Sequence, residues 1–238
     1  MQPSGDYLYK YSSTARLDWL EGILLQHRLY FPNPKELNDP LEARPTLRST
    51  DKGGLFRLIA GSFALDNARM DPKLLAQEIK NIQHMVLRFP LADLDASMER
   101  LFWKALSSHR IYSMTKRSDN SHLWERYAAG HSGYCLEFRN EGWPFLLARE
   151  VVYQDTITID PTERTEHHAG FLFHKTTGWA PEEEVRLVLF PRGQPANVNF
   201  EPALLKRIIL GSRMSRADRD AIQSIVSRRS PALTVSDE

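Results

Sequence analysis

The run EEEVRLVL at residues 182–189 combines three consecutive glutamates with the alternating pattern of a β-strand. Side chains alternate across a β-strand, so the apolar residues of this run share one face and the charged residues share the other. The two faces hold Val185, Leu187 and Leu189 on one side, and Glu182, Glu184, Arg186 and Val188 on the other. Consecutive charged groups would then lie about 7 Å apart along one surface. Strands are depleted in glutamate and three successive carboxylates repel one another, so something must compensate their charge.

Two structural interpretations of this run remain open. In the first, it is an amphipathic strand at the edge of a sheet, with Arg186 in a loose, solvated ion pair. In the second, Glu182, Glu184 and Arg186 are partly buried in a polar cleft and face Lys10 across it. The spacing alone does not separate the two.

Strand and helix patterns extend outward from this run along the whole chain. Clusters of β-forming residues predict strands at 7–11, 29–31, 111–115, 133–138, 151–153, 185–190 and 207–210. Apolar periodicity predicts helices over 15–27, over much of 54–108, over 123–129 and after the capping residue Ser215. This order predicts an α+β fold with one core, a single domain over residues 1–238, and a loose tail from about residue 230.

Composition excludes several classes of protein. The 238 residues are 42% hydrophobic and 26% charged, which is typical of a globular chain rather than a disordered or fibrous one. Lysine and arginine total 31 against 30 acidic residues, so no overall field favours nucleic acid or an anionic membrane. A single cysteine, with no signal-peptide or membrane-spanning run, predicts a cytoplasmic protein in a reducing compartment without disulfides.

Three further segments carry residues of types that bind ligands or take part in catalysis. Ser113 and Thr115 project to one face of a predicted strand, where they either bind a ligand or hydrogen-bond to nearby backbone. Lys10 stands among tyrosines and either binds an anion or extends along the surface to solvent. Trp124 either packs in the core or forms an aromatic wall for a ligand ring.

Metal and common nucleotide motifs are absent from the sequence. His167, His168 and His174 have no matched ligand set, since the chain contains no HExxH motif and one cysteine, so we predict no metal site. There is also no Walker A loop and no GxGxxG fingerprint. Cys135 lies in an apolar strand and is expected to be an unreactive core residue.

The order of these segments resembles a widespread bacterial domain-of-unknown-function family, the DUF group 2971. The similarity is carried by LYKY (8–11), LYFPNPKELNDPLE (29–42), YSMT (112–115), LWERYAAGHSGYCLEF (123–138), VVY (151–153), Lys175 with GWAPEEEVRLV (178–188), and RIILG (207–211). This family usually has an aromatic residue where Val185 stands. The resemblance implies that the helical stretch at about 50–108 is an insert.

A weaker similarity connects the chain to ADP-ribosyltransferases. It consists of a basic residue on an early strand, a hydroxyl-rich strand and a Glu-x-Glu strand, in that order. It implies a mixed, mainly antiparallel sheet flanked by helices, with NAD or a related nucleotide as substrate. Residue by residue, Lys10 would take the basic position, Ser113 and Thr115 the hydroxyl position, and Glu184 the position of the glutamate. Lysine departs from the histidine or arginine that is usual there.

The resemblance implies a role for each of these residues. Glu184 would stabilise an oxocarbenium-like transition state, and Glu182 would orient or deprotonate the acceptor. Lys10 or Arg186 would hold the pyrophosphate, and Ser113 would support the nicotinamide pocket. The ring-stacking candidates are Trp124, Tyr9 and Tyr11.

Two other functions stay open beside this enzyme. One is a sensor or binding module that holds an anionic nucleotide without turnover. The other is a nucleic-acid-processing defence protein, against which the near-zero net charge argues. The expected partner is a nucleotide-type small molecule, and the sequence identifies no acceptor.

Overall fold

The computed structural model describes residues 5–37, 45–106, 109–162, 170–189 and 196–238. Residues 38–42 of the family-like LYFPNPKELNDPLE segment, and the histidines 167 and 168, lie outside these ranges. In chain order the strands are β1 (Tyr7–Ser12), β2 (Arg28–Tyr30), β3 (Thr46–Leu47), β4 (Arg110–Thr115), β5 (Tyr134–Arg139), β6 (Ala148–Glu150), β7 (Val152–Tyr153), β8 (Thr158–Ile159), β9 (His174–Lys175), β10 (Glu184–Leu189), β11 (Asn197–Asn199), β12 (Leu205–Leu210) and β13 (Thr234–Asp237). The α-helices are α1 (Leu17–Gln26), α2 (Lys52–Asp66), α3 (Pro72–Arg88), α4 (Leu91–Leu106), α5 (Ser121–Tyr127) and α6 (Arg216–Ser227).

The chain forms two compact units. The first comprises Met1–Glu42, Ser108–Tyr153 and Lys175–Glu238, and the second comprises Ala43–Ser107 and Gln154–His174. The segment at 50–108 that the sequence suggested as a helical insert provides most of the second unit. The 154–174 segment also belongs to that unit, although no sequence pattern connects the two.

A seven-stranded sheet organises the first unit. Its strand order is β13-β12-β5-β1-β4-β10-β6, and every neighbouring pair is antiparallel except the parallel β12–β13 pair. The prediction of an α+β fold with a mixed, mainly antiparallel sheet is therefore confirmed.

Strand β10 lies inside this sheet, between β4 and β6. Its apolar residues Val185, Leu187 and Leu189 belong to the main core cluster, as the alternation predicted. All six residues of the strand are buried. The interpretation as a solvated edge strand is therefore wrong, because β4 and β6 cover both edges of β10.

The centre of the sheet contains an incomplete strand pair. β1 pairs with β5 at all six of its residues, but in the described structure it meets β4 at one position, Tyr9 opposite Thr115. No second residue pair joins these two described strands. We call this break in the β1–β4 pairing, beside Lys10 and Ser113, the gap.

The two faces of the sheet are packed differently. Helices α1 and α6 contribute to the main cluster through Leu20, Leu24, Ile222 and Ile225. The opposite face carries a smaller cluster in which Trp124 of α5 meets Tyr11 and Cys135. Helix α5 begins after Asn120, whose side-chain oxygen accepts a hydrogen bond from the Leu123 N–H. The side-chain amide group of Asn120 donates to the Pro181 carbonyl, which fixes α5 to the segment that precedes β10.

The second unit consists of α2, α3 and α4 around Leu55, Val86 and Leu94. Asp51 and Asp71 cap α2 and α3 by accepting hydrogen bonds from two backbone N–H groups each. The short strands β3 and β8 pair in parallel within this unit.

The C-terminal residues differ from the prediction of a loose tail. Thr234–Asp237 forms β13, which pairs with β12 along four residues. The Glu238 carboxylate then accepts hydrogen bonds from the backbone N–H and the hydroxyl of Ser212. Backbone pairing thus orders residues whose composition is polar. No helix in the described ranges combines the length and hydrophobicity that a bilayer crossing requires.

Candidate functional site

Four charged side chains form a buried group at the start of β10, which we call the polar cluster. Lys175, Glu182, Glu184 and Arg186 are 6%, 4%, 5% and 0% exposed. Charged side chains are seldom buried to this extent unless they are paired. The polar-cleft interpretation predicted burial of three of the four; Lys175 was not among its residues.

Two cations hold the carboxylate of Glu184. Arg186 donates from Nε to Oε1 at 2.8 Å and from Nη2 to Oε2 at 3.2 Å. Lys175 Nζ donates to Oε2 of Glu184 at 3.0 Å and to Oε2 of Glu182 at 2.6 Å. These bonds supply the compensation that the glutamate run requires.

Two tyrosines complete the contacts of the polar cluster. Tyr127 of α5 donates its hydroxyl to Oε1 of Glu182 at 2.7 Å. The hydroxyl of Tyr153 accepts a hydrogen bond from the backbone N–H of Glu184, also at 2.7 Å. Burial is the main cause that raises the pKa of each tyrosine to about 12, so both remain protonated at neutral pH.

A turn at Glu183 explains why Glu182 and Glu184 meet the same lysine. Thr177–Glu182 is a 3₁₀ helix, and Glu183 follows in the left-handed region with φ of 46°. The strand starts at Glu184, so Glu182 lies outside the strand alternation that placed it on one face with Glu184 and Arg186. Because the turn directs Glu183 outward, its side chain forms an exposed pair with Arg117 at 3.2 Å. Its carbonyl accepts a hydrogen bond from the Thr115 hydroxyl.

Lys10 reaches the polar cluster through Ser113. Its ammonium donates to the Ser113 carbonyl at 2.9 Å and lies 4.9 Å from the centre of the Tyr112 ring. The Ser113 hydroxyl in turn hydrogen-bonds to Glu184. Residues from β1, β4 and β10 that are distant in sequence therefore form a connected chain of contacts, Lys10–Ser113–Glu184.

The described residues of this region include three cations, Lys10, Lys175 and Arg186, and two buried carboxylates, Glu182 and Glu184. Lys175 pairs with both carboxylates and Arg186 pairs with Glu184. Among the described residues, no carboxylate lies within ion-pair distance of Lys10.

Burial and charge act in opposite directions on the pKa values of these groups. Burial raises the pKa of Glu184, and the ammonium of Lys175 opposes that rise. Burial also lowers the pKa of Lys10, which Glu184 and Glu182 oppose. For Lys175, burial acts downward, but the two carboxylates outweigh it and raise its pKa. Burial lowers the pKa of Arg186 to about 9, which leaves it charged at neutral pH.

The remaining predicted site residues have partners elsewhere on the sheet. Trp124 is 1% exposed, packs edge-to-face on Tyr11 at 5.0 Å and donates Nε1–H to the Ser118 carbonyl. Tyr9 hydrogen-bonds to Glu137 and Ser118. Trp124 and Tyr11 therefore pack in the core, which was one of the two alternatives for Trp124. None of these contacts joins Tyr9, Tyr11 or Trp124 to Glu184.

Sequence reasoning missed three members of the site. They are Lys175, Tyr127 and Tyr153, which the sequence marks only as members of the segments that carry the resemblance to the DUF group 2971. Lys175 precedes the glutamate run by seven residues, so a search for a compensating cation near that run could have found it. No local pattern identifies the two tyrosines, because folding alone brings them to Glu182 and Glu184.

Comparison of the chain with protein-family models, with curated proteins and with solved structures found no match. The resemblances to the DUF group 2971 and to ADP-ribosyltransferases therefore stay predictions.

Proposed function

We propose that this site binds NAD or a related phosphorylated nucleotide and cleaves its nicotinamide–ribose bond. The observation that carries the proposal is the Lys10–Ser113–Glu184 chain of contacts. It joins a cation without a carboxylate partner to an oriented carboxylate at a gap in the sheet. These are the groups that an anionic glycosidic substrate requires.

The gap between β1 and β4 supports binding of an anionic group. A strand residue directs its N–H and C=O to the same side, and alternate residues share that side. The Ser113 carbonyl meets Lys10, and the Ile111 N–H, two residues earlier, donates to the Pro32 carbonyl beside β4. The Ser113 N–H is therefore directed toward the gap, where it and the Lys10 ammonium form a pair of donors suited to a phosphate oxygen.

Glu184 supplies the electrostatic part of the reaction. When the bond between ribose C1′ and the nicotinamide nitrogen breaks, its electron pair goes to the nitrogen and neutralises the pyridinium. Positive charge then develops on the sugar. A carboxylate that is already held by Lys175 and Arg186, and that accepts a hydrogen bond from a ribose hydroxyl, stabilises this charge without reorganisation.

The acceptor completes the reaction. Its oxygen or nitrogen attacks C1′ and its proton leaves to a base; with water as acceptor, the products are nicotinamide, ADP-ribose and a proton. We assign Glu182 to the acceptor, which it would orient or deprotonate. Glu182 shares Lys175 with Glu184, so the two carboxylates belong to one ion-pair network.

Nicotinamide release from NAD tests the proposal, with Glu184→Gln as the variant and Glu183→Gln as its matched control. The two glutamates are adjacent, but Glu183 pairs on the surface with Arg117. We expect Glu184→Gln to lower the rate by about 10²–10³-fold, because it removes a preorganised charge at the reacting centre. Glu183→Gln should keep the wild-type rate. Equal rates for Glu184→Gln and wild type would remove Glu184 from catalysis.

A nucleotide-binding module without turnover is the second candidate. Both oxygens of Glu184 accept hydrogen bonds from cations in this structure, an arrangement that also suits a purely structural carboxylate. Calorimetry would show this function as saturable nucleotide binding that requires Lys10, together with no nicotinamide release by the wild-type protein.

A further inference from the structure

The hydroxyl of Tyr153 has an unused hydrogen at the edge of the polar cluster. A phenol hydroxyl has one hydrogen to donate and lone pairs that accept. The bond from the Glu184 N–H uses a lone pair. Among the described residues, no carbonyl, carboxylate or hydroxyl accepts the Tyr153 hydrogen. Because the Tyr153 side chain is only half-buried, a ligand or a solvent molecule has access to this hydrogen.

Tyr127 provides the contrast within the same cluster. It is also half-buried, but its hydroxyl donates to Glu182 at 2.7 Å and is therefore satisfied within the protein. The two tyrosines differ in whether the hydroxyl hydrogen is used within the protein. Tyr127 completes an internal bond, whereas Tyr153 is fixed in position by one bond and keeps its donor free for another molecule.

The position of Tyr153 defines the group that it would bind. Its oxygen lies 2.7 Å from the backbone nitrogen of the residue whose carboxylate we assign to the substrate. The Tyr153 hydroxyl supplies a donor and the Glu184 carboxylate supplies an acceptor, both at the start of β10. Together they are complementary to an alcohol, which both donates and accepts. A phosphate oxygen offers lone pairs alone, and the Glu184 carboxylate would repel it.

We propose that Tyr153 is a specificity-determining residue that donates a hydrogen bond to a sugar hydroxyl held by Glu184. The site would thereby select ribose over deoxyribose at the sugar next to the cleaved bond. This inference rests on the proposed function, since it places the sugar of the nucleotide beside Glu184. It goes beyond the proposed function by adding Tyr153 to the site and by stating which sugar the site selects.

Equilibrium binding of two probes tests the inference without catalysis. The probes are carbocyclic NAD, in which a methylene replaces the ring oxygen of the nicotinamide ribose, and the same compound without the 2′-hydroxyl. Each is titrated by calorimetry into wild type, Tyr153→Phe and Tyr127→Phe. The measured quantity is the ratio of the two dissociation constants in each protein, because a general loss of stability affects both probes alike.

We expect Tyr153→Phe to reduce the preference for the hydroxyl-bearing probe by about 3- to 10-fold, the effect of one hydrogen bond. Tyr127→Phe should keep the wild-type ratio. An unchanged ratio in Tyr153→Phe would overturn the inference and leave the proposed function in place. Failure of wild type to bind either probe would instead overturn the proposed function and this inference with it.

A second variant covers the case in which Tyr153→Phe does not fold. Replacement of Tyr153 by 3-fluorotyrosine keeps the hydroxyl and its bond from the Glu184 N–H, but makes the hydroxyl a stronger donor. We expect the preference for the hydroxyl-bearing probe to rise. An unchanged preference would show that the hydrogen of Tyr153 does not reach the sugar.

Discussion

Two carboxylate–arginine pairs lie on the same face of the sheet, and they are built differently. In the row of residues that face one another across the strands, Arg207, Glu137, Tyr9, Thr115 and Glu184 follow in order. Glu137 and Arg207 form a pair whose side chains are 10% and 35% exposed. Glu184 and Arg186 form a pair whose side chains are 4% and 0% exposed.

The difference shows what a buried carboxylate requires. At Glu137, one arginine and the Tyr9 hydroxyl suffice, because the arginine still meets solvent. At Glu184, the protein adds Lys175 and the Ser113 hydroxyl to Arg186. An apolar group of similar volume is often as stable as a buried ion pair, so the network at Glu184 is weak evidence for stability. Its cost is better explained by a function.

Breaking the buried pair should give the largest effect. Arg186→Met leaves Glu184 buried with one cation instead of two, and we expect the free energy of unfolding to fall by about 3–5 kcal/mol. Urea denaturation measures this loss. The matched control is Arg117→Met, whose guanidinium pairs with Asp119 and Glu183 but is 49% exposed. That change should leave the free energy of unfolding almost unchanged, because solvent screens an exposed pair. Similar losses in both variants would mean that burial does not distinguish the two sites.

The affinity for an anionic ligand should depend on pH through Lys10. Burial lowers the pKa of this lysine below its ordinary value of about 10.4. Lys10 binds an anion in its protonated form, and the pyrophosphate diester of carbocyclic NAD does not titrate in this range. The affinity for carbocyclic NAD should therefore be constant below the lowered pKa. Above that pKa it should fall by up to tenfold per pH unit. Calorimetry over a pH series measures the midpoint, and a wild-type profile that matches Lys10→Met would exclude Lys10 from the anion site.

The same pKa shift has a consequence for stability, with a defined sign. Between the lowered pKa of folded Lys10 and its ordinary value, the unfolded chain binds more protons than the folded chain. The contribution of Lys10 to the free energy of unfolding therefore rises with pH across this window. Lys10→Met should remove this contribution, which urea denaturation of both proteins over a pH series measures.

Breaking the partly exposed Glu137–Arg207 pair should have the smallest effect on the free energy of unfolding. Arg207→Met removes the cation of the Glu137 pair, but water can reach the site and Tyr9 still hydrogen-bonds to Glu137. We expect a loss of about 1 kcal/mol, measured by urea denaturation beside Arg186→Met. A loss as large as that of Arg186→Met would show that the two pairs are equivalent, contrary to our comparison.

The sequence predicted those parts of the site that depend on strand alternation. The period of two residues placed Val185 and Leu187 on the core face, and it placed Glu184 and Arg186 together on the other. It could not predict the left-handed turn at Glu183, because nothing in a glutamate side chain favours that conformation. It also could not predict the neighbours of β10, so edge and centre remained indistinguishable until the pairing with β4 and β6 was known.

Contacts made by tertiary folding were the least predictable. Tyr127 and Tyr153 occur in unremarkable segments, and their hydroxyl bonds to Glu182 and Glu184 depend on how α5 and residues 152–153 pack. Trp124 shows the reverse case. Its aromatic ring invited a ligand-binding role, but burial against Tyr11 gives it the ordinary role of a core residue.

A crystal structure of the wild-type protein with carbocyclic NAD would locate the nucleotide relative to Lys10 and Glu184. We expect a phosphate oxygen within hydrogen-bond distance of Lys10 Nζ and the nicotinamide ribose next to the Glu184 carboxylate. A nucleotide bound away from the gap between β1 and β4, with the Lys175–Glu184–Arg186 bonds untouched, would contradict it.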